Sequence, residues 1–378
     1  MRHASLGELG ELKNGVNFKA DRMGRGLPLI NVKDITNSHR IDVGNLALVE
    51  TDVSDEMFAR DGDLFFARSS VKLDGIALAS KLRSVEQPAI HCGFVIRFRP
   101  TSEDVFSDYL LYLLRSPEYR ERLKNLSSGA AIINISQSNL KGLAIPLPPT
   151  VVQRKIAAIL SAYDDLIENN RRRMALLEKT ARLLYKEWFV RLRFPGHERE
   201  GVVGGIPAGF EQKRLGDILT LKRGYDLPAS DRIDGEWPIV SSSGITGFHS
   251  EKKALAPGVV TGRYGTLGEV YYIQQDYWPL NTSLYVSDFK GNRRSFAAHL
   301  LKHALAGVQS DKAAVPGLNR NVAHQLPVLC PPKALHDLFA DFADLSYRQQ
   351  HVLQTTNDKL TAARDLLVPR LMSGEIAV

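Results

Sequence analysis

Apolar positions follow a helical period over two long stretches of the chain. Neither proline nor glycine interrupts residues 150–194, and a second periodic stretch begins at Lys333 and ends at Pro369. The spacing is near the 3.5 residues that are typical of coiled coils. The predicted seam positions are Val152, Ile156, Ile159, Tyr163, Leu166, Leu177, Leu184 and Trp188 in the first stretch, and Leu335, Leu338, Phe342, Leu345, Val352, Leu360, Ala363 and Leu367 in the second.

These two stretches predict rods of about 60 Å and about 55 Å, at 1.5 Å per residue. Thr150 and Gln153 match a capping box at the start of the first rod. Asn170 occupies a seam position, where a buried polar residue would fix the register of a partner helix. Two unrelated core helices are a poorer explanation, because ordinary globular helices average about 11–12 residues. So long a helix with so narrow an apolar seam requires a partner helix.

Ahead of the first rod, short apolar runs alternate with turn residues. The runs at 27–32, 63–67 and 93–99 predict strands, while 105–114 predicts a helix and a second helix is expected after Pro117. The fold class is therefore α+β.

Motifs from the first half of the chain return in the same order in the second half. Leu6-Gly7-Glu8 corresponds to Leu215-Gly216-Asp217, and Leu143 to Pro149 corresponds to Leu326 to Pro332. Between them, the run that ends at Arg68 matches the run that ends at Arg263, and the segment from Phe106 matches the segment from Phe296. Each match alone is weak, but their conserved order indicates a tandem duplication.

The predicted organisation has two globular domains, each followed by a long helix. The boundaries are a first globular domain at 1–149, a central long helix at 150–194, a linker at 195–209, a second globular domain at 210–332, and a C-terminal long helix and tail at 333–378. Two helices of equal length in one chain pair most simply with each other. We expect an antiparallel coiled coil with pseudo-twofold symmetry.

Composition and charge narrow the classes of function. A net charge of +7 and a pI near 9.2 favour an acidic partner, and nucleic acid is the natural candidate. The two cysteines, Cys92 and Cys330, give neither a disulfide framework nor a metal-binding spacing, which fits a reducing cytoplasm. The N-terminus has no apolar core for a signal peptide, and no run of about 18 apolar residues predicts a membrane span.

The chain has no recognisable catalytic or cofactor-binding motif. It contains no phosphate-binding loop, no dinucleotide fingerprint, no G-x-S-x-G serine and no H-E-x-x-H. Cys330-Pro331-Pro332-Lys333 lacks both the amide and the aromatic ring of an adenine methyltransferase tetrad. We therefore expect no active site, no metal and no cofactor in this chain.

Side chains that bind DNA are instead plentiful in the predicted loops. Arg, Asn and Gln make hydrogen bonds to base edges, while Lys, Ser and Thr hold phosphates. Arg68 and Arg263 stand at equivalent positions after a strand, each followed by small residues. The candidate DNA-binding residues are Lys13, Asn14, Arg68, Ser69, Ser70, Lys72, Asn134, Ser136, Gln137 and Asn139 in the first domain, and Lys222, Arg223, Ser241, Ser242, Arg263, Tyr264, Thr266, Asn281, Thr282, Asn319, Arg320 and Asn321 in the second.

Three features give the chain a family resemblance. They are Leu-Pro-Pro ahead of each long helix, the stretch from Arg182 to Glu198 with its Trp188-Phe189-Val190-Arg191 and Phe194-Pro195-Gly196-His197-Glu198 runs, and the tandem architecture. In these the chain resembles the specificity subunits of type I restriction–modification systems over essentially its whole length. The second helix departs from the pattern, because it ends Val368-Pro369-Arg370-Leu371-Met372 without a Trp-Phe-Val run.

The resemblance implies both partners and roles. Each globular domain would be a target-recognition domain that binds one half of a bipartite, asymmetric site in double-stranded DNA. The paired helices would set the spacer and dock two methyltransferase subunits, to which motor-nuclease subunits add. The candidate docking residues are Trp188, Phe189, Arg191, Arg193 and Phe194. In this role the chain is a non-catalytic subunit.

Other classes of protein remain open at this point. A stand-alone DNA-binding regulator would bind its site without partners, and a specificity subunit of another restriction–modification type would share the recognition domains. A coiled-coil scaffold would have no need of the basic loops. An enzyme in its own right, such as a nuclease, would show activity with a divalent metal.

Overall fold

The chain folds into two compact units, each of which contains part of both long helices. The structure is a computed structural model that describes residues 2–82, 84, 87–129, 131–263, 268–306 and 317–378. Unit 1 comprises Met1–Ile167 with Asp358–Val378, and unit 2 comprises Glu168–Asn357. The predicted boundaries at 149 and 332 instead separated each globular domain from its helix.

Unit 1 contains the first α+β domain. Its strands are β1 (Arg2–Ser5), β2 (Gly10–Asn14), β3 (Met23–Ile30), β4 (Arg40–Ile41), β5 (Ala47–Val49), β6 (Leu64–Ala67), β7 (Ser69–Ser70), β8 (Ala79–Leu82), β9 (Ile90–His91), β10 (Val95–Pro100), β11 (Ile133–Asn134) and β12 (Ala144–Leu147). Its helices are α1 (Leu6–Leu9), α2 (Val32–Asn37), α3 (Ser107–Arg115), α4 (Pro117–Asn125) and α5 (Gln137–Lys141), followed by the long helix α6 (Thr150–Tyr185). The helices predicted at 105–114 and after Pro117 are thus confirmed.

Unit 2 contains the second α+β domain. Its strands are β13 (Val202–Val203), β14 (Ile206–Pro207), β15 (Glu211–Arg214), β16 (Thr220–Arg223), β17 (Trp237–Ser241), β18 (Gly244–His249), β19 (Gly258–Gly262), β20 (Val270–Ile273), β21 (Trp278–Pro279), β22 (Ser283–Asp288) and β23 (Pro327–Cys330). Its helices are α7 (Leu215–Ile218), α8 (Arg294–Leu305) and α9 (Arg320–His324), and the long helix α10 (Lys333–Ser373) begins here. The predicted linker at 195–209 contains the β13–β14 hairpin.

The two domains share one topology, which confirms the duplication. The sheet order β2-β10-β6-β8 in unit 1 corresponds to β16-β22-β19-β20 in unit 2. The parallel pair β3–β9 corresponds to the parallel pair β17–β21. Near the start of each domain, Leu6 N donates to Leu143 O and Leu215 N donates to Leu326 O, both at 2.8 Å. These four residues are the ones that the sequence motifs matched.

The Leu-Gly-acid motif is repeated because each of its three residues has a structural role. Leu6 and Leu215 are fully buried. The carboxylate of Glu8 accepts from Ser5 N at 2.6 Å, and that of Asp217 accepts from Arg214 N at 3.0 Å, so each acid caps its own short helix. A Cβ on Gly7 would lie 3.1 Å from Lys141 Cβ. The glycine therefore lets α1 approach α5 closely.

The two long helices pack against each other and run antiparallel. In unit 1, Ile156 and Leu160 near the start of α6 share a core with Leu371 near the end of α10. In unit 2, Tyr185 at the end of α6 shares a core with Phe339 near the start of α10. The helix of the first stretch continues as a π-helical turn from Lys186 to Val190, so it ends earlier than the predicted Phe194. Helix α10 passes through Pro369 to Ser373.

Asn170 is a buried polar residue that fixes the register of the two long helices, as the sequence predicts. Its side chain is 8% exposed, and its Nδ2 donates to Oδ1 of Asn357, itself 4% exposed, at 2.9 Å. Because Asn357 stands opposite Asn170 in this register, a shifted register would break this buried amide pair.

The predicted seam is wrong at several positions. Ile159 and Leu166 on α6 are 36% and 52% exposed, and Leu338, Leu345 and Val352 on α10 are 50–61% exposed. The buried positions of α6 are Gln153, Ile156, Ala157, Leu160, Asp164, Ile167, Asn170, Ala181 and Tyr185. Both helices thus have apolar side chains on the packed face and on the opposite, solvent-facing side.

Gln153 anchors α6 to the first domain and does not complete the predicted capping box. Its Oε1 accepts from Phe106 N at 2.8 Å, and its Nε2 donates to Asp104 O at 2.7 Å and to Pro148 O at 2.9 Å. These bonds engage both ends of the fully buried side-chain amide with backbone groups of the domain. The start of the helix is thereby fixed to the domain that precedes it.

Candidate DNA-recognition surfaces

Three segments that are distant in sequence meet on one side of the first domain. Strand β7 pairs with β11, so Ser69 lies opposite Asn134. Gln137, at the start of α5, lies against β2, with its amide nitrogen donating to Leu12 O and its amide oxygen accepting from Asn14 N, both at 3.1 Å. The candidates of the first domain are thus brought together. We call them surface 1, which comprises Lys13, Asn14, Arg68, Ser69, Ser70, Lys72, Asn134, Ser136, Gln137 and Asn139.

Arg68 lies at the centre of surface 1. Its backbone N donates to Phe94 O at 2.9 Å, and its backbone O accepts from Ile135 N at 3.0 Å. The half-buried side chain uses Nη1 to donate to Gly93 O at 3.3 Å. A guanidinium has five N–H donors in a planar fork. The Arg68 backbone is therefore fixed on both sides, and its guanidinium keeps donors for base edges or phosphates.

Lys13 is held by an exposed ion pair at the edge of surface 1. Its Nζ lies 2.5 Å from Oε2 of Glu56, and this hydrogen bond lowers the pKa of the Glu56 carboxyl below its usual value. The Glu56 side chain is 76% exposed, and exposed pairs of this kind contribute little to stability. Lys13 is therefore free to exchange Glu56 for a phosphate at little energetic cost.

The smaller polar side chains of surface 1 hold the loops in place. Ser69 Oγ donates to Oδ1 of Asn134 at 2.5 Å, and Ser70 Oγ donates to Lys72 O at 2.7 Å. Ser136 Oγ accepts from Asn139 N at 3.0 Å and caps α5. These bonds position the backbone, so Ser69, Ser70 and Ser136 support the surface as well as lying on it.

In unit 2, the corresponding candidates line an open cleft of about 440 Å³. Its walls include Arg223, Arg263 and the segment Asn319–Asn321 at the start of α9. Lys222 precedes Arg223 at the end of β16, and Asn281 and Thr282 precede β22, which pairs with that strand. We call this group surface 2, which comprises Lys222, Arg223, Arg263, Asn281, Thr282, Asn319, Arg320 and Asn321. Three cationic side chains, those of Arg223, Arg263 and Arg320, line the cleft and give it a positive character.

Arg263 has the same backbone environment as Arg68. Its N donates to Thr282 O at 3.0 Å, and its O accepts from Leu318 N at 2.8 Å. Thr282 therefore takes the place of Phe94, and Leu318 takes the place of Ile135. The equivalence that the sequence predicts for the two arginines is confirmed in the backbone, while the side chains around them differ.

Helix α9 is fixed against β16 by a neutral histidine. Burial lowers the pKa of His324, and the nearby charges of Lys290 and Arg320 lower it further. The unprotonated Nε2 accepts a hydrogen bond from Leu221 N at 2.8 Å. This bond holds the last residue of α9 against β16, and the five-residue helix thereby keeps Asn319 to Asn321 near that strand.

Some predicted DNA-binding residues do not fall within either surface. Ser241 is 8% exposed, and its Oγ donates to Gly244 O in the turn that joins β17 and β18. Ser242 lies in the same turn and is half-buried. Ser241 is therefore a structural residue of that turn. Tyr264 and Thr266 lie outside the described residues.

The aromatic residues proposed for partner docking are divided between interior and surface. Phe189 and Phe194 are 5% and 6% exposed. Phe189 packs on Phe296 and Phe339 with ring centroids 5.5 Å and 5.3 Å away, so these two side chains belong to the core of unit 2 and not to a docking surface. Trp188 is half-buried, and Arg191 and Arg193 are exposed and pair with Glu187.

Sequence reasoning missed an exposed aromatic ring on surface 1. Residues 93–99 were predicted as one strand, but Gly93 and Phe94 form a turn ahead of β10. The Phe94 side chain is 61% exposed. Val71 and Ile132, at the end of the β7–β11 pair, are 79% and 56% exposed. Their exposure depends on the turn and on strand pairing, so hydrophobic periodicity gave no signal for it.

The described residues contain neither a metal-binding cluster nor a membrane-spanning helix. Across those ranges, no group of three His, Cys, Asp or Glu side chains is placed to hold a metal ion. Over the same residues, neither long helix nor any shorter one is apolar enough along its length to cross a membrane.

Comparisons with known proteins give a consistent result. The family described as "Type I restriction modification DNA specificity domain" matches residues 2–179. The MjaIX type I restriction enzyme specificity subunit of Methanocaldococcus jannaschii is 32% identical over 230 residues, which cover 58% of this chain and 52% of that protein. The EcoKI specificity subunit of Escherichia coli is 28% identical over 167 residues, which cover 42% of this chain and 36% of that protein.

The fold comparison extends over nearly the whole chain. The crystal structure of the type I restriction–modification S subunit from M. genitalium superposes with a TM-score of 0.61 at 18% identity, covering 98% of this chain and 95% of that one. Residues 2–179 are similar in sequence to the specificity domain of type I restriction–modification systems, and the chain as a whole shares its fold with a type I S subunit. In sequence it spans about half the length of its M. jannaschii relative.

Proposed function

We propose that this chain is the non-catalytic DNA-recognition subunit of a type I restriction–modification complex. Surface 1 binds one half of a bipartite target in double-stranded DNA, and surface 2 binds the other half. The paired helices set the spacer between the half-sites and dock two methyltransferase subunits, to which motor-nuclease subunits add.

The observation that supports this proposal is the pair of equivalent arginines with different neighbours. Arg68 and Arg263 are held by the same two backbone hydrogen bonds, so each domain carries an arginine at the same place in its fold. The residue opposite is Phe94 in one domain and Thr282 in the other. Bidentate arginine contacts distinguish guanine from other bases in the major groove. Two domains with the same backbone around the arginine but different neighbouring side chains fit a target whose two halves differ in sequence.

A genome-wide map of adenine methylation tests the proposal. We expect methylation at one split motif to disappear when the gene is deleted and to return when it is restored. The motif should consist of two unlike half-sites separated by an unrecognised spacer, with centres about one helical turn, roughly 34–36 Å, apart. Affinity purification of the chain should recover an active methyltransferase. Recovery of that active enzyme together with an unchanged methylation map would contradict the proposal.

The outer faces of the long helices supply the surface proposed for docking. In unit 2, α10 exposes Leu338, Leu345 and Val352 at seven-residue intervals, and the first helix exposes Leu176, Leu183 and Val190 in the same way. At 100° per residue, these positions lie opposite the buried ones such as Ala343 and Ala181. We call these six residues the outer stripe. Repeated exposed apolar residues mark interaction sites on soluble proteins, and a heptad spacing fits a partner helix.

Placing charge on the outer stripe is expected to release the methyltransferase. Leu345→Glu with Val352→Glu should reduce the methyltransferase recovered with the chain by at least about ten-fold, since two anchor side chains that become buried on docking contribute over 1.4 kcal/mol together. The matched control is His351→Glu with Gln354→Glu, which adds the same charge to exposed positions of α10 that point away from the stripe, at 100° per residue. Equal loss of the methyltransferase from both variants would argue against docking at the stripe.

A further inference from the structure

The exposed ring of Phe94 lies next to the arginine at the centre of surface 1. In the β6–β10 ladder Ala67 pairs with Val95, so the next pair along places Arg68 opposite Phe94. Directly opposed residues of an antiparallel pair project to the same side, with Cβ atoms about 4.5–5.5 Å apart. Arg68 and Phe94 are thus neighbours across the strand pair, joined by the hydrogen bond from Arg68 N to Phe94 O at 2.9 Å, and a ligand that contacts one side chain lies beside the other. At 61% exposure, the ring keeps most of its apolar surface available.

The turn that carries Phe94 is fixed by the surrounding backbone. Val95 N donates to Cys92 O at 2.9 Å across the turn, and Gly93 N donates to Val16 O at 2.8 Å. A Cβ on Gly93 would lie 2.0 Å from Oδ1 of Asn17. The turn is thus packed on the 15–17 segment and bonded to Arg68. A large apolar side chain on a fixed turn, exposed to water beside a cation, indicates a ligand with an apolar and an electronegative part.

We propose that Phe94 contacts the C5-methyl group of a thymine in the first half-site, beside the base that Arg68 binds. In the major groove the thymine methyl is the apolar feature that phenylalanine contacts, while guanine O6 and N7 accept from arginine. The proposal rests on the proposed function, because it assigns one base pair within the half-site bound by surface 1. In unit 2 the equivalent position is Thr282, so the second half-site is recognised there by different chemistry.

Deoxyuridine is the probe, because it keeps the pairing edge of thymine and lacks only the methyl group. Once the methylation map has given the target, each thymine of the first half-site is replaced in turn by deoxyuridine. Binding to the full chain, with the methyltransferase subunits that copurify with it, is then measured. We expect one replacement to weaken binding roughly four-fold, the loss of one buried methyl contact.

The Phe94→Ala variant identifies the residue responsible. It should bind the unmodified target with a similar loss and no longer distinguish thymine from deoxyuridine at that one position. Because the ring is exposed, the substitution leaves the fold intact. Thr282→Ala is the matched control in unit 2, and it should retain the full sensitivity to deoxyuridine in the first half-site.

Two results would overturn the assignment of Phe94. One is a first half-site without an A·T pair, and the other is a Phe94→Ala variant that responds to every deoxyuridine as the unmodified chain does. Both leave the proposed function intact, because the split motif is still methylated through this chain. Failure of the proposed function would show earlier, as an unchanged methylation map beside an active copurified methyltransferase.

Discussion

Replacing Asp164 with alanine is expected to lower the free energy of unfolding by about 3–5 kcal/mol, the range measured when one partner of a buried ion pair is removed. The Asp164 side chain is 5% exposed and lies on α6. Its Oδ1 accepts from Nη1 of Arg364 on α10 at 2.5 Å, and its Oδ2 accepts from Tyr112 and lies 2.8 Å from Nε2 of His39. One carboxylate therefore joins both helices to the first domain. Alanine would leave the half-buried Arg364 with only the exposed Asp365 as an ion-pair partner among the described residues.

The Asp165→Ala variant is the matched control for this prediction. Asp165 is the next residue on α6, its side chain is 61% exposed, and it lies 3.8 Å from Arg40. Its loss should cost less than about 1 kcal/mol, as for other exposed ion pairs. Denaturation should be followed by circular dichroism, because Trp188, Trp237 and Trp278 all lie in unit 2 and their fluorescence would report that unit. Equal costs for the two variants would contradict the assigned role of Asp164.

The stabilisation by Asp164 should also depend on pH. Burial alone would raise the pKa of this carboxyl, but the hydrogen bonds and charge of His39, with the bonds from Tyr112 and Arg364, outweigh it and hold the pKa well below its usual value of 3.8. A carboxyl with a depressed pKa stabilises the folded state fully above its unfolded-state pKa and progressively less as the pH falls below it. The difference in stability between the unmodified chain and Asp164→Ala should therefore be constant near neutrality and shrink below about pH 4.

The duplication was predictable because its motifs encode backbone requirements. The short helix at the start of each domain needs a buried leucine, a glycine where another helix packs closely, and an acid that caps it. Leu6-Gly7-Glu8 therefore returns as Leu215-Gly216-Asp217. The candidate loops were predicted from their basic and polar side chains. Lys13 and Arg68 come together because β2 and β6 both pair antiparallel with β10, so these two strands run in the same direction and end at the same edge of the sheet.

The face of each helix was less predictable, because apolar residues recur on two faces. The 3.5-residue pattern identified long helices and located Asn170 in the seam, yet it could not separate Leu160, which is buried, from Ile159, which is exposed. An apolar side chain that packs within the chain and one that a partner protein would cover can be the same type of residue, so the sequence does not distinguish them. The apolar positions misassigned to the seam belong in part to the outer stripe.

The Asp164 cluster left no signal in the sequence. His39, Tyr112, Asp164 and Arg364 come from four distant segments, and each alone resembles an ordinary polar residue of a loop or a helix. Their meeting depends on how the helices pack on the first domain. Short-range motifs carry no information about such a contact, and this is also the reason that the exposure of Phe94 was missed.

Arg68→Ala is expected to abolish discrimination at one base pair of the first half-site and to leave the second half-site unchanged. A good bidentate arginine contact contributes about 1–3 kcal/mol of discrimination against the wrong base, which corresponds to roughly 5–150-fold in binding. The Arg68 backbone is fixed by the bonds to Phe94 O and Ile135 N, which alanine retains. The loss should therefore arise from the missing guanidinium and not from a rearranged loop.

Arg263→Ala supplies the reciprocal control, because that arginine has the same backbone bonds in unit 2. It should relax one position of the second half-site only. Lys72→Ala separates base recognition from backbone binding, since loss of a phosphate contact should weaken all sequences alike and reduce the salt dependence by about one unit of slope. Methylation maps of the three variants would show these patterns directly. If Arg68→Ala and Arg263→Ala relaxed the same half-site, or if neither changed the target, the assignment of one domain to each half-site would be wrong.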